Sequence, residues 1–477
     1  MSETGTPQTH QAGQGVPAEP NSANSQQSAA QPPACADLAD REGSPCLFAH
    51  ALGVCGIILL CAGAGLAEAT ASDWPQWRGP TRTGHASADA PVPAALPKES
   101  KPLWKISVGP GFSSPVVAGD KLVYLDEQGG QEVAHVLEAG TGQELWRLAY
   151  AEALRDELGA GPRSTPIVDG DRLYAQSCKG EFRCLALADG KIIWQTSFEK
   201  DFGVRFLGGG GEGGTATRRG NNGSGVIDGD HIILPVGSTQ GASLVCFDKR
   251  TGRVIWKSQN DEAAYSSLMM ATLAGAPQVV ALTAEALMGV GQLDGKLLWR
   301  VPLKTFAKRH AATPVILGDT VTVNSTTVGL VCTRISRKGD EIKASPAWVN
   351  KAMKINLSTP VAVGHYLYCQ GPNRDYVCVD ALTGELKWSQ PGFGQGRKDN
   401  SSTIAIGSRL LVLAEDGQLV LIAADPEKYR ELARLQVCGN TWCFPAYAAG
   451  RIFVRDSQHL ICLDLMAVEA PAAKPTS

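Results

Sequence analysis

The side chains of this sequence with chemistry to offer are its cysteines, its histidines and a glycine run beside two arginines. Thirteen cysteines are present, but there is no Cys-x-x-Cys, so neither a zinc ribbon nor a c-type haem attachment is available. The eight histidines include no His-Glu-x-x-His, the spacing that sets two imidazoles on one helix face for zinc. Gly223-Ser224-Gly225 is not a nucleophile elbow. The segment Gly208 to Gly214, followed by Arg218-Arg219-Gly220-Asn221-Asn222, holds the formal spacing Gly-x-Gly-x-x-Gly. A dinucleotide site needs that run between a strand and a helix, where the helix N-terminus meets the pyrophosphate. That setting is missing here, and the segment reads as a surface loop. No clustered Asp/Asn motif supplies the six or more oxygens that calcium requires.

What remains is a binding surface. Five long segments, Ala151 to Arg163, Asp201 to Gly223, Lys304 to His310, Lys351 to Asn356 and Gln390 to Asn400, place a set of basic and amide residues on one expected ligand or partner face. The set is Arg163, Arg205, Arg218, Arg219, Asn221, Asn222, Arg309, His310, Lys354 and Arg397. No catalytic residue and no metal ligand is assigned. Glu152, Asp156, Glu157, Glu212 and Asp399 share the same loops, so the face reads either as a weakly basic rim for an acidic peptide, a glycan or a carboxylate, or as a solvated surface. The net charge of -3, from 44 basic and 47 acidic residues, gives no electrostatic case for nucleic acid or an anionic membrane surface.

These loops must be carried by a repeat. Trp104, Trp146, Trp194, Trp256, Trp299, Trp348 and Trp388 recur at intervals of 40 to 62 residues, a period that signals a propeller, solenoid or array. A first strand recurs eight times, each copy ending on glycine: Gly119, Gly170, Gly229, Gly275, Gly318, Gly364, Gly407 and Gly450. Apolar runs such as Lys121-Leu122-Val123-Tyr124 follow, with the length and composition of strands. The tryptophan closes a fourth strand, and is read as a blade-packing residue.

The last unit stops after its third strand near Leu465, while Pro102-Leu103-Trp104-Lys105-Ile106 precedes any complete unit. The fold expected is therefore all-β: an eight-bladed propeller over 101–465, of four-stranded antiparallel blades, closed by the N-terminal strand so that only short edges remain. The seventh blade is degenerate, with Arg430-Glu431-Leu432-Ala433 where the tryptophan should be.

Five cysteines, Cys184, Cys246, Cys332, Cys378 and Cys462, occupy one third-strand position, filled by Val136 and Gly289 in other units. A repeated buried slot for a small hydrophobe accounts for them. Four others in the presumed mature chain fall outside the slot, and Cys438 with Cys443, or Cys178 with Cys184, are close enough in sequence to bridge or to stay as thiols.

Residues 1–45 are rich in Gln, Ala, Ser, Pro and Gly and read as a disordered tail. Residues 46–71 join an apolar stretch to Ala69-Thr70-Ala71, as in a cleaved secretory signal, although the run is also long enough for a membrane anchor. Cys61 hints at a lipoprotein site. Residues 72–100 form a lead-in in which Trp74 and Trp77 cover a blade edge or the channel bottom, or act as a docking motif. Residues 466–477 are an expected disordered tail.

Thr383-Gly384-Glu385-Leu386-Lys387-Trp388 and its copies resemble the repeat of the pyrroloquinoline-quinone-like propellers, which include quinoprotein alcohol dehydrogenases and the non-enzymatic BamB-type lipoproteins. Asp73-Trp74-Pro75-Gln76-Trp77-Arg78-Gly79-Pro80 with Gly84 resembles the opening of exported propellers common in planctomycetes. The BamB-like resemblance implies an exported, monomeric, non-catalytic scaffold of the periplasm or cell envelope. Its partner would be an envelope protein, a peptide or a small ligand at the channel mouth, with no cofactor and no nucleic acid, and contact with a membrane only through an uncleaved N-terminal anchor. The enzymatic alternative implies pyrroloquinoline quinone held by calcium beside a disulfide of adjacent cysteines, with an aspartate taking the proton of an alcohol or sugar. This sequence has no Cys-Cys pair, and no ligand residue carries over.

Overall fold

The computed structural model describes residues 73–467 except 157, 205–219, 304, 306–309 and 394–399. The expected tail at 1–45, the signal or anchor at 46–71 and residues 468–477 lie outside them. Among the described residues, no helix is long and apolar enough to cross a membrane.

Eight four-stranded antiparallel sheets follow one another along the chain. Blade 1 runs from its inner strand Val116–Ala118 through Lys121–Gln128 and Gln131–Glu138 to its outer strand Glu144–Glu152. The two middle strands are buried along almost their whole length, because each face packs on a neighbouring blade. Val123, Leu125 and Val136 of blade 1, for example, share a core with Leu173, Ala175 and Leu185 of blade 2. Blade 8 takes three strands from the C-terminal end, Ala446–Ala448, Arg451–Arg455 and His459–Asp464. Its fourth is Trp104–Ser107, in the register Trp104 to Cys462 and Ser107 to His459. The expected closure by the N-terminal strand is present. A five-residue helix, Phe198–Phe202, is the one α-helix among the described residues.

The register explains the cysteine slot. Cys184, Cys246, Cys332, Cys378 and Cys462 lie directly opposite Trp194, Trp256, Trp348, Trp388 and Trp104, and all five are buried thiols. A small side chain there leaves room for the indole. In blade 4 the slot residue is Gly289, where an added Cβ would stand 2.1 Å from Gln278 Oε1 and 2.2 Å from Trp299 Nε1. A register shift follows the slot in each of the seven third-to-fourth-strand hairpins, the mark of a β-bulge that twists the outer strand.

Six of the seven repeat tryptophans then donate to the next blade. Trp194 Nε1 donates to Lys249 O at 2.9 Å, and its ring covers Gly252, where a Cβ would stand 2.6 Å away. Trp104, Trp146, Trp256 and Trp348 cover Gly142, Gly190, Gly295 and Gly384 in the same way and donate to Ala139, Leu187, Gln292 and Ala381 carbonyls. The Thr-Gly or Asp-Gly turn and the tryptophan are thus two halves of one inter-blade lock. Blade 8 has no third-to-fourth-strand hairpin, since its outer strand comes from the other end of the chain, so blade 7 has no turn to cap. That accounts for Ala433. In blade 5 the hairpin is displaced by ten-residue strands, and Trp299 Nε1 bonds instead within its own blade, to Gln278 Oε1.

Residues 73–86 occupy the axis and touch every blade. Trp74 pairs with Val117 of blade 1, and Val168 N of blade 2 donates to Pro75 O at 2.9 Å. Arg82 donates to Ser224 O of blade 3 and Leu268 O of blade 4, Trp77 Nε1 to Thr313 Oγ1 of blade 5, and Arg78 to Pro360 O of blade 6. His85 bridges Ala405 of blade 7, and Trp74 and Trp77 both pack on Phe444 of blade 8. The two tryptophans, expected at a blade edge, at the channel bottom or in a docking motif, instead lie inside the ring, with Trp74 fully buried and Trp77 lining the mouth cavity.

Candidate functional site

Every inner strand starts at the channel mouth, and most start on a hydroxyl: Ser113-Ser114, Ser164-Thr165, Ser224, Ser266-Ser267, Thr313, Ser358-Thr359 and Ser401-Ser402. Four of these are followed by proline, which lacks an N–H and holds the preceding residue extended. Inner strands of adjacent blades form no ladder, so side chains satisfy their backbone groups. Ser224 Oγ accepts from Thr165 N and donates to Thr165 O, both at 3.1 Å. Ser358 Oγ does the same for Ser401 N and O, both at 2.9 Å. Ser267 Oγ accepts from Ser224 N, Thr359 Oγ1 from Thr313 N, and Ser114 Oγ from Phe444 N. The sequence carries this repeat as a Ser or Thr before Pro in four units, a pattern separate from the strand periodicity.

Inside this ring lies a cavity of about 440 Å³. Its polar lining is neutral hydroxyl and amide, including Asn222, Asn356, Asn400 and Ser402, and its apolar lining is largely aromatic. Phe112 and Trp442 stack with centroids 5.4 Å apart, and Trp77 meets Phe444 edge-on at 5.4 Å. Arg163 is the one cation among the described lining residues. Its Nη2 donates to Asp156 Oδ1 at 2.8 Å, and its guanidinium lies 5.5 Å from the Phe112 ring centre.

The structure separates the residues expected on one face. Arg163 and Asn222 line the mouth. Asn221 is buried, donating from Nδ2 to Pro235 O at 2.9 Å. His310 is buried, with Nε2 donating to Leu303 O at 3.0 Å, and burial lowers its pKa. Lys354 borders a different, apolar cleft with Val301, Leu303, Val328 and Val349. Arg205, Arg218, Arg219, Arg309 and Arg397 lie outside the described residues. Neither sequence-proximal cysteine pair is bridged: Cys178, Cys184, Cys438 and Cys443 are thiols.

Two polar features beside the mouth carried no sequence signal of their burial. Glu132 is fully buried between blades 1 and 2, accepting from Tyr150 Oη at 2.9 Å and Cys178 N at 3.1 Å. Burial pushes its pKa up to about 7. Next to a Gly-Gly turn it reads as an exposed hairpin residue, and only the neighbouring blade encloses it. Arg78 and Arg82 are buried on the axis against main-chain carbonyls. Burial lowers both pKa values, and repulsion from Arg82 lowers that of Arg78 further.

A calcium-held quinone is the group that the enzymatic propellers imply, and the described mouth does not fit it. No carboxylate is among the described lining residues. Among the described residues, no three His, Cys, Asp or Glu side chains gather as a metal site. Calcium sites draw on carboxylate and carbonyl oxygens together, and the lone lining cation is already engaged by Asp156.

Comparison with curated proteins finds no match. Among solved structures, the quinohemoprotein alcohol dehydrogenase ADHIIG from Pseudomonas putida HK5 is similar at 10% identity over 85% of this chain and 82% of its own, with a TM-score of 0.54. The computationally designed Ika8 protein is similar at 9% identity over 78% and 99%, with a TM-score of 0.51. BamB from Moraxella catarrhalis is similar at 12% identity over 75% and 97%, with a TM-score of 0.48. At such identities the likeness to the first two speaks for the fold alone. The family model described as outer membrane protein assembly factor BamB matches residues 87–207 and 129–352. Those matches together span more than half of the 477 residues, and the chain belongs to that family of pyrroloquinoline-quinone-like propellers.

Proposed function

We propose that this protein is an exported, non-catalytic binding or scaffold propeller of the cell envelope that holds its ligand or partner at the channel mouth. The observation that supports this reading most is the chemistry of the mouth. Rigid inner strands present neutral hydroxyls, amides and aromatic faces around a cavity of about 440 Å³, a lining suited to recognition. The general base, nucleophile and metal ligands of a reactive centre are not assembled there among the described residues. Export rests on the apolar stretch before Ala69-Thr70-Ala71, and the scaffold role on the family description, which names an assembly factor.

The test is calorimetric titration of the protein with pyrroloquinoline quinone, with and without calcium. No detectable heat at several temperatures is the expected outcome. Calcium-dependent binding at micromolar affinity or tighter overturns the reading in favour of a quinoprotein oxidoreductase, to be followed by an alcohol and sugar screen with an artificial electron acceptor.

A further inference from the structure

We infer that the channel mouth recognises a neutral saccharide, an inference that rests on the binding-module reading above. The aromatic residues form two pads. Phe112 and Trp442 already cover one another, with planes 26° apart, and Trp77 is backed by Phe444. Both pads belong to the lining of one cavity, and an aromatic ring gives a ligand a flat apolar surface. The C–H side of a pyranose matches such a face.

The polar groups select in the same direction. Asn222, Asn356 and Ser402 can both donate and accept, as sugar hydroxyls do. Thr359 and Ser401 add hydroxyl-bearing residues to the same lining. Arg163 is engaged by Asp156 at 2.8 Å and no carboxylate joins the described lining, so the described residues offer a charged ligand no uncommitted counter-charge. The volume, about 440 Å³, is within the usual range for small-molecule sites. Trp77 and the segment behind it close the axis, so the mouth suits the end of a glycan and not a chain threading through.

Titrating the full chain with maltotriose, cellotriose and chitotriose, followed by calorimetry and tryptophan fluorescence, tests this. At least one trisaccharide is expected to bind, with Trp442→Ala and Asn356→Ala each weakening it roughly tenfold or more. Should Trp442→Ala not fold, Asn356→Ala with an unchanged melting temperature carries the test. Failure of all three sugars to bind overturns the inference, as does binding indifferent to both substitutions. Binding of an extended neutral peptide in their place overturns the saccharide but keeps the binding module, whereas calcium-dependent quinone binding overturns both.

Discussion

At the outer edge of the ring, Trp104, Trp146, Trp194, Trp256 and Trp348 each cap a glycine turn on the following blade. At the axis, residues 73–86 make a different contact with each of eight inner strands. The edge repeats one small interaction, and losing a single copy leaves the others in place. The axis concentrates unlike contacts in a segment of fourteen residues, 73 to 86, two of them arginines buried against carbonyls. A repetitive architecture therefore tolerates a missing lock, as at blade 7, but depends on a central segment that has no second copy.

Removing residues 73–108 is the harshest test of that asymmetry, because it takes away the axial segment and the strand that closes blade 8. An aggregating or unstable product is expected; a truncated protein that melts with the parent would refute the topology. Next in size is Trp194→Ala, which should cost about 3–5 kcal/mol of stability, as large-to-small substitutions of buried aromatics do. Trp299→Ala should cost less, because its indole N–H bonds within its own blade. Equal shifts of the urea midpoint for the two would deny the inter-blade lock its role.

Glu132 sharpens the contrast from the inner side. Its pKa is raised by burial to about 7 in the folded protein, above the ordinary carboxylate value, so the unfolded chain releases this proton at lower pH than the folded one. Stability from this group is therefore full in acid and is lost as pH rises from about 4.5 to about 7, by on the order of 3 kcal/mol. Glu132→Gln should flatten that part of the stability profile and raise the melting temperature at pH 8. A profile unchanged by the substitution would show that Glu132 stays ionised.

Two glycines isolate the lock itself. Gly252, at φ +73°, faces the Trp194 ring, whereas Gly119, at φ +58°, faces open space. Gly119→Ala should cost roughly 1–2 kcal/mol from left-handed backbone strain, and Gly252→Ala more, since the ring must also move. Identical unfolding midpoints would count against ring contact. The smallest expected effect is no effect: Cys246, Cys378 and Cys462, whose pKa values burial pushes up to about 12, should resist thiol labelling until the protein unfolds. Rapid labelling of the native protein would remove the slot.

Much of the edge was legible in the sequence because a strand read in one blade is read again in the next. The Thr-Gly-x-x-x-Trp phrase, the terminal glycines and the cysteine position each recur, and repetition turns weak local preferences into an architecture. Ala433 looked like decay of the repeat until closure removed the hairpin that a tryptophan there would cap. The axis was different. Trp74, Trp77, Arg78 and Arg82 carry no period, and nothing local says that two adjacent-turn arginines are to be buried.

The mouth shows the same division. Arg163, Asn221, Asn222, His310 and Lys354 were grouped because they share loops on one side of the ring, and the fold distributed them among the mouth, two buried positions and a separate apolar cleft. By itself the sequence determined blade number, strand order, the closing strand and the identity of the packing residues, since these follow from periodicity and from small residues opposite large ones. The tertiary structure alone decided which polar residues face the cavity, which carboxylate is buried beside it and what fills the axis. Those outcomes depend on contacts between segments up to 370 residues apart, such as Trp74 with Phe444, and burial is a property of what the neighbouring blade covers, which no residue's own segment encodes.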